Sequence, residues 1–113
     1  MQITGYEFGR ITINSKIFTD DLIIHGQEIV PNWRRKGGHL ADIEDIKRIL
    51  LEEGTHLIIG TGYYGMMKIS HSLEEYCKKH NIILEAMRTK SAIEVFNSCD
   101  KSEKLVGAFH LTC

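Results

Sequence analysis

A single proline, Pro31, interrupts the whole chain of 113 residues, and the three cysteines form no CxxC pair. An odd cysteine set without that spacing argues against a disulfide framework and against a cysteine-rich zinc site. Cys77, Cys99 and Cys113 are therefore expected as reduced thiols. No apolar run approaches the roughly 20 residues that a bilayer span requires, and none follows a basic start as a secretory signal would. Charge of one sign is also lacking. The 14 Lys and Arg face 15 Asp and Glu, so no long-range field draws the whole chain to nucleic acid or to an anionic membrane. Together these absences predict a cytoplasmic protein whose partners are neither nucleic acid nor membrane.

What is present is the composition of an ordinary globular protein, 42% hydrophobic and 26% charged. The length suits one domain with one core, spanning residues 1–113. No internal repeat, low-complexity segment or linker divides it. Within it a β-rich segment runs to about residue 30. Ile11, Ile13, Ile17 and Phe18 flank the two-residue turn Asn14-Ser15, while Leu22-Ile23-Ile24 and Glu28-Ile29-Val30 surround His25-Gly26-Gln27. Residues 31–40 carry Pro31, Gly37 and Gly38 beside Arg34-Arg35-Lys36, the signature of an irregular, basic, exposed loop.

From Asp42 the period changes to that of a helix. Ile43, Ile46, Ile49 and Leu50 share a stripe, acids fill the first turn, and Gly54 supplies the stop. Thr55 to Ile59 reads as a strand ended by Gly60. Ser72 with Glu75 spells a capping box ahead of Leu73, Tyr76, Cys77 and His80, which predicts a second helix. A strand over Ile82–Met87, a helix from Thr89 to about Cys99 and a last strand over Leu105–Leu111 complete an αβαβαβ order. Such alternation favours parallel strands joined by right-handed helical crossovers. Ligands of open sheets of this kind bind beyond the carboxyl ends of the strands, here Gly60-Thr61-Gly62 and Arg88-Thr89.

Gly60-Thr61-Gly62-Tyr63-Tyr64-Gly65 is a formal G-x-G-x-x-G after a strand, with Glu85 on the next strand. A dinucleotide site needs those glycines to open a helix whose free N–H groups hold the pyrophosphate. The capping signal lies well after Gly65, and Glu85 sits inside its strand rather than at its end, so a glycine-permitted sharp exit from a buried strand is the preferred reading. No cofactor is expected. Trp33, Arg34, Arg35, Lys36 and His39 could clamp an anion through arginine forks, although a solvated basic loop with one anchoring aromatic explains them more simply. The six histidines show no i, i+4 pair on one helix and no accompanying carboxylate pattern, so no metal site is expected. A thiolate–imidazole pair of Cys113 or Cys99 with His110 weighs less than packed or merely terminal thiols.

Gly9-Arg10-Ile11-Thr12-Ile13-Asn14, Gly60-Thr61-Gly62, Thr89 with Ala92 and Phe96-Asn97, and the closing run Val106-Gly107-Ala108-Phe109-His110-Leu111-Thr112-Cys113 carry a resemblance over nearly the whole chain. They resemble one small family of unknown function, which includes the adipogenesis-associated domain-containing protein and a mitochondrial complex I assembly factor. Trp33 and His39 resemble the Trp and His of that family's irregular loop. The resemblance implies a compact three-layer α/β fold with a mixed central sheet and a β-rich N-terminal segment. It implies no established enzymatic role. The first strand begins almost at Met1, leaving no room for an Arg- and Ser-rich transit segment, so a complex I role does not carry over directly.

Two function classes follow. The first is a non-enzymatic protein-binding or assembly module. The second is a small-molecule protein that places an anionic ligand among Trp33, Arg34, His39, Gly60, Thr61, Gly62, Arg88, Thr89 and His110, with Arg35 contributing from the loop. Convergence of these residues on one concavity would favour the ligand.

Overall fold

The computed structural model describes residues 2–49, 52–102 and 104–113. The β-rich start resolves into five strands: β1 (Ile3–Glu7), β2 (Arg10–Ile13), β3 (Lys16–Phe18), β4 (Leu22–His25) and β5 (Glu28–Val30). Strands β1 to β3 form an antiparallel meander. Its β2–β3 turn is Asn14-Ser15, with φ of 49° and 69° at the two residues. Two successive left-handed residues match the right-handed twist of a tight hairpin, and Asn is among the residues that tolerate that region best.

Strands β6 (Leu40–Ala41), β7 (His56–Thr61), β8 (Lys68–Ile69), β9 (Ile83–Met87) and β10 (Leu105–His110) follow, with helices α1 (Ile43–Ile46), α2 (His71–Lys79) and α3 (Thr89–Ser98) between them. The main sheet has the order β5-β4-β10-β7-β9. In it β10 runs parallel to β7 and antiparallel to β4, while β9 is parallel to β7, so the sheet is mixed. Short β6 and β8 pair separately and in parallel, which inserts a strand into the expected alternation.

Alternation along the central strands builds two cores. Ile23, Leu57, Ile59, Val106 and Ala108 face α1, α2 and Trp33. Leu22, Ile24, Ile58, Leu105 and Phe109 face α3 and the β1–β3 meander, through Ala92, Ile93 and Phe96 on one side and Ile3, Ile11 and Ile13 on the other. Three layers result, with the sheet in the middle.

Three expectations need correction. The helix after Asp42 is a single turn that tightens to 3-10 geometry over Lys47–Ile49 rather than running toward Gly54; Leu50 lies outside the described residues. The Asp45 carbonyl, which a continued helix would offer to the N–H of Ile49, instead accepts Nε1–H of Trp33 at 3.2 Å. The second helix is capped by Ser70, whose Oγ accepts the N–H of Leu73, and not by Ser72, whose hydroxyl donates to Asp42. The loop of residues 31–40 is only partly exposed. Trp33 is buried, and the side chain of Arg35 is 5% exposed because it closes an ion pair with Asp21 at 2.7 Å.

Candidate functional site

The carboxyl ends of the parallel strands bring together most of the residues that the sequence singles out. His110 ends β10 and lies in register with Thr61 at the end of β7, while Gly60 lies in register with Met87 at the end of β9. Arg88-Thr89 directly follows, and Thr89 locks this edge. Its hydroxyl donates to the His110 carbonyl at 2.6 Å and accepts the N–H of Gly62 at 2.9 Å. Gly60 is the residue that lets Thr89 approach, since a Cβ there would stand 2.7 Å from the threonine Oγ1 and 3.0 Å from its Cα.

Gly62 has φ of +108°, and the turn it opens lies along the C-terminal segment. Tyr63 N–H donates to the Thr112 carbonyl at 2.7 Å and Met66 N–H to the Cys113 carbonyl at 2.9 Å, while Gly65 N–H donates to Gly62 at 3.2 Å. The backbone donors that a pyrophosphate would need are engaged within the chain. The first helix after the turn starts at His71, so Gly65 opens no helix. The sharp-exit reading of the glycines accounts for this geometry.

Beside the turn, His110 carries a buried polar cluster that local sequence does not announce. Its Nδ1–H donates to Asp21 Oδ2 at 2.7 Å, and the same oxygen accepts Arg35 at 2.7 Å. Asp21 Oδ1 accepts the Leu111 N–H at 2.7 Å. Burial alone would raise the Asp21 carboxyl, but the hydrogen bonds from His110, Leu111 and Arg35 outweigh it and hold the group below the ordinary carboxylate value. The Arg35 guanidinium also lies 4.5 Å from the centre of the Trp33 ring. His39, on the same loop, meets the His110 ring edge to face with centroids 5.8 Å apart. Sequence reasoning missed Asp21, which precedes β4 and has no motif around it.

Trp33 and Arg34 stand apart from the glycine turn. They line a cleft of about 330 Å³ with Asp20, Asp21 and Thr112, where the acids offset the arginine charge. Arg88 lies against Gly65 on the other side. Of the nine singled-out residues, then, Gly60, Thr61, Gly62, Arg88, Thr89, His39 and His110 share the strand-end edge, whereas Trp33 and Arg34 line the neighbouring cleft that Asp21 and Thr112 border. Among the cysteines, Cys77 is buried and Cys99 donates Sγ–H to the Val95 carbonyl at 3.2 Å.

Next to this edge large apolar side chains are exposed, three of them in ring contact. Phe8, Tyr63, Tyr64 and Met66 are 50%, 46%, 58% and 55% exposed. Phe8 meets Tyr63 edge-on at 5.8 Å and Tyr64 at a tilt at 6.1 Å, and the two tyrosines meet edge-on at 5.0 Å.

The fold recurs in solved structures. A conserved hypothetical protein of Pyrococcus horikoshii superposes with a TM-score of 0.79 at 24% identity, over 100% of both chains. A Bartonella henselae protein described as an outer membrane protein gives 0.77 at 21%, over 98% of this chain and 94% of that one. A Xanthomonas campestris protein gives 0.77 at 19%, over 96% and 83%. Among the described residues no helix is long and apolar enough to cross a membrane. A family model matches residues 3–111, and the chain belongs to that family, the proteins of unknown function DUF498/DUF598.

Proposed function

We propose that this chain is a non-enzymatic protein-binding or assembly module of the cytoplasm, and that its partner docks on Phe8, Tyr63, Tyr64 and Met66. The observation that carries this reading is the exposure of Phe8, Tyr63 and Tyr64 in one ring-to-ring cluster, with exposed Met66 two residues further along the same turn. Exposed large apolar groups gathered in one place mark interaction surfaces, and aromatics and methionine are the residues enriched there. The cluster stands on a rigid base, because Tyr63 and Met66 are tied by backbone bonds to Thr112 and Cys113. A preorganised patch loses little entropy on docking. Three free thiols are consistent with the reducing compartment. The likeness to assembly-factor and adipogenesis-associated proteins belongs to the same reading.

Affinity capture from native extract at moderate salt tests it. A stoichiometric protein partner is expected, and reproducible failure to recover one contradicts the proposal. A thermal-shift screen of phosphates, nucleotides and carboxylates runs beside it. A ligand at 100 times its dissociation constant would stabilise the fold by about 2.7 kcal/mol, and the module reading expects no such shift.

A further inference from the structure

Arg88 stands beside the exposed rings with its charge unanswered. It is exposed, and among the described residues its guanidinium makes no hydrogen bond, ion pair or ring contact. Arg10, two residues after Phe8, is by contrast tied to Glu7. Gly65 fixes where Arg88 lies. A Cβ on that glycine would stand 3.2 Å from Arg88 Cγ and 3.7 Å from its Nε, so the arginine stem runs along the turn at the residue between Tyr64 and Met66. Glycine at φ +70° leaves the room that a side chain would fill. The backbone beneath Arg88 is anchored as well, since it follows β9 directly and its carbonyl accepts the N–H of Ala92 in α3.

The ring contacts continue beyond the turn. Tyr63 also meets half-buried Tyr6, with centroids 6.2 Å apart. Tyr6, Ile3, Gly5 and Ile93 line a groove of about 220 Å³ between β1 and α3, where Lys90 and Glu94 offset each other. Apolar surface therefore runs from Phe8 over the two tyrosines into a groove, and Arg88 is the charge left uncompensated along it. A patch that continues into a groove suits an extended segment of a partner chain. Covering a lone guanidinium with an apolar segment costs free energy unless an anion pairs with it. The planar fork of arginine matches a carboxylate through two parallel bonds. Nucleic acid would bring stacking bases and anions too, but its backbone calls for a track of cations, and this chain sets 14 Lys and Arg against 15 acids.

We propose that the partner's docking segment is an extended apolar stretch carrying one Asp or Glu, whose carboxylate pairs with Arg88. This rests on the docking role of the aromatic cluster given above and supplies the chemistry of the partner.

A random-peptide library displayed on phage is selected on the parent chain and on Arg88→Glu. Peptides taken by the parent are expected to place Asp or Glu beside aromatic or aliphatic residues, and those taken by Arg88→Glu are expected to lose the acid. The strongest parent peptide is then made with a fluorescent label in two forms, one with its acid and one with the corresponding amide. Both are titrated against the parent chain and Arg88→Gln. The amide form is expected to bind the parent about tenfold more weakly, and the two forms are expected to bind Arg88→Gln alike. Peptides that need Phe8 and Tyr64 but show no preference for an acid overturn this inference and leave the docking role standing. So does an acid-to-amide loss that persists in Arg88→Gln. Failure to select any peptide whose binding is lost in Phe8→Ser, Tyr64→Ser overturns both. A labelled oligothymidylate that binds the parent chain as tightly as the peptide also overturns the inference, because the rings would then serve nucleobases.

Discussion

The carboxylate of Asp21 and the Nδ1 of His110 stand 2.7 Å apart at the strand-end edge, joining the residue before β4 to the last residue of β10. Arg35 shares the same oxygen, so three elements far apart in sequence meet on one side chain. The depressed Asp21 carboxyl has a direct consequence for acid stability. A group whose folded value lies below its unfolded value of about 3.9 stabilises the fold fully above that value. That stability is lost as pH falls through the lower folded value. Urea unfolding at a series of pH values is expected to show a decline beginning near pH 4, and Asp21→Asn is expected to lose this component of the decline. The variant also leaves Arg35 buried without its charge partner, so at neutral pH it should be destabilised by about 3 kcal/mol. An Asp21→Asn protein as stable as the parent would remove the cluster from the account.

Gly62 predicts a backbone effect independent of any ligand. A Cβ there would stand 2.5 Å from the Cys113 carbonyl oxygen and 2.6 Å from that of Thr112, at a φ of +108°. Gly62→Ala is expected to cost on the order of 1 kcal/mol or more in folding stability. Equilibrium denaturation of the chain without ligand checks it. A dinucleotide site predicts instead saturable binding of nicotinamide dinucleotides that is lost on replacing Gly65, with the unliganded fold intact.

Trp33 joins the loop to α1 through the bond from Nε1 to the Asp45 carbonyl. Trp33→Phe keeps the apolar body but leaves that carbonyl without its indole donor, and it removes the broad ring under Arg35. The loss is expected at about 1–3 kcal/mol, read by denaturation. Because Trp33 is the single tryptophan and is buried, its emission should be blue-shifted in the native chain and move to the red on unfolding.

Tyr6 donates its hydroxyl to the Leu111 carbonyl at 3.0 Å, and burial pushes its phenol up to about 12 against a weaker opposing bond with Thr89. A raised folded value favours the protonated form. Its contribution to stability is therefore intact below the ordinary value of about 10 and is lost as pH climbs toward the folded value. Absorbance titration of the parent chain is expected to show a component near 12 that is absent from Tyr6→Phe.

The periods of the chain made the main elements legible. Asn14-Ser15 marked its hairpin because few residues accept two left-handed conformations in succession. The strand read over Thr55–Ile59 and the helix from Thr89 follow from apolar patterns that the fold preserves, although the strand runs on through Gly60 to Thr61 instead of ending at the glycine. Ser72 reads as the cap because Glu75 follows three residues on, whereas Ser70 takes that role in the fold, directly after β8 pairs with β6. Arg35 looked solvated because its burial depends on Asp21, 14 residues away, and His110, 75 residues away. For the same reason Phe8 gave no hint of Tyr63 and Tyr64. They meet only after the meander and the glycine turn have both been placed against the C-terminal segment.

The docking role of the aromatic cluster is the central claim, and quantitative capture with a patch variant tests it most directly. Phe8→Ser combined with Tyr64→Ser removes half-exposed rings that support little of the core, so the melting temperature should barely change. The partner recovered by the parent chain is expected to be lost from the variant at equal protein concentration. Recovery of the same partner in the same yield by a folded Phe8→Ser, Tyr64→Ser chain would contradict the account.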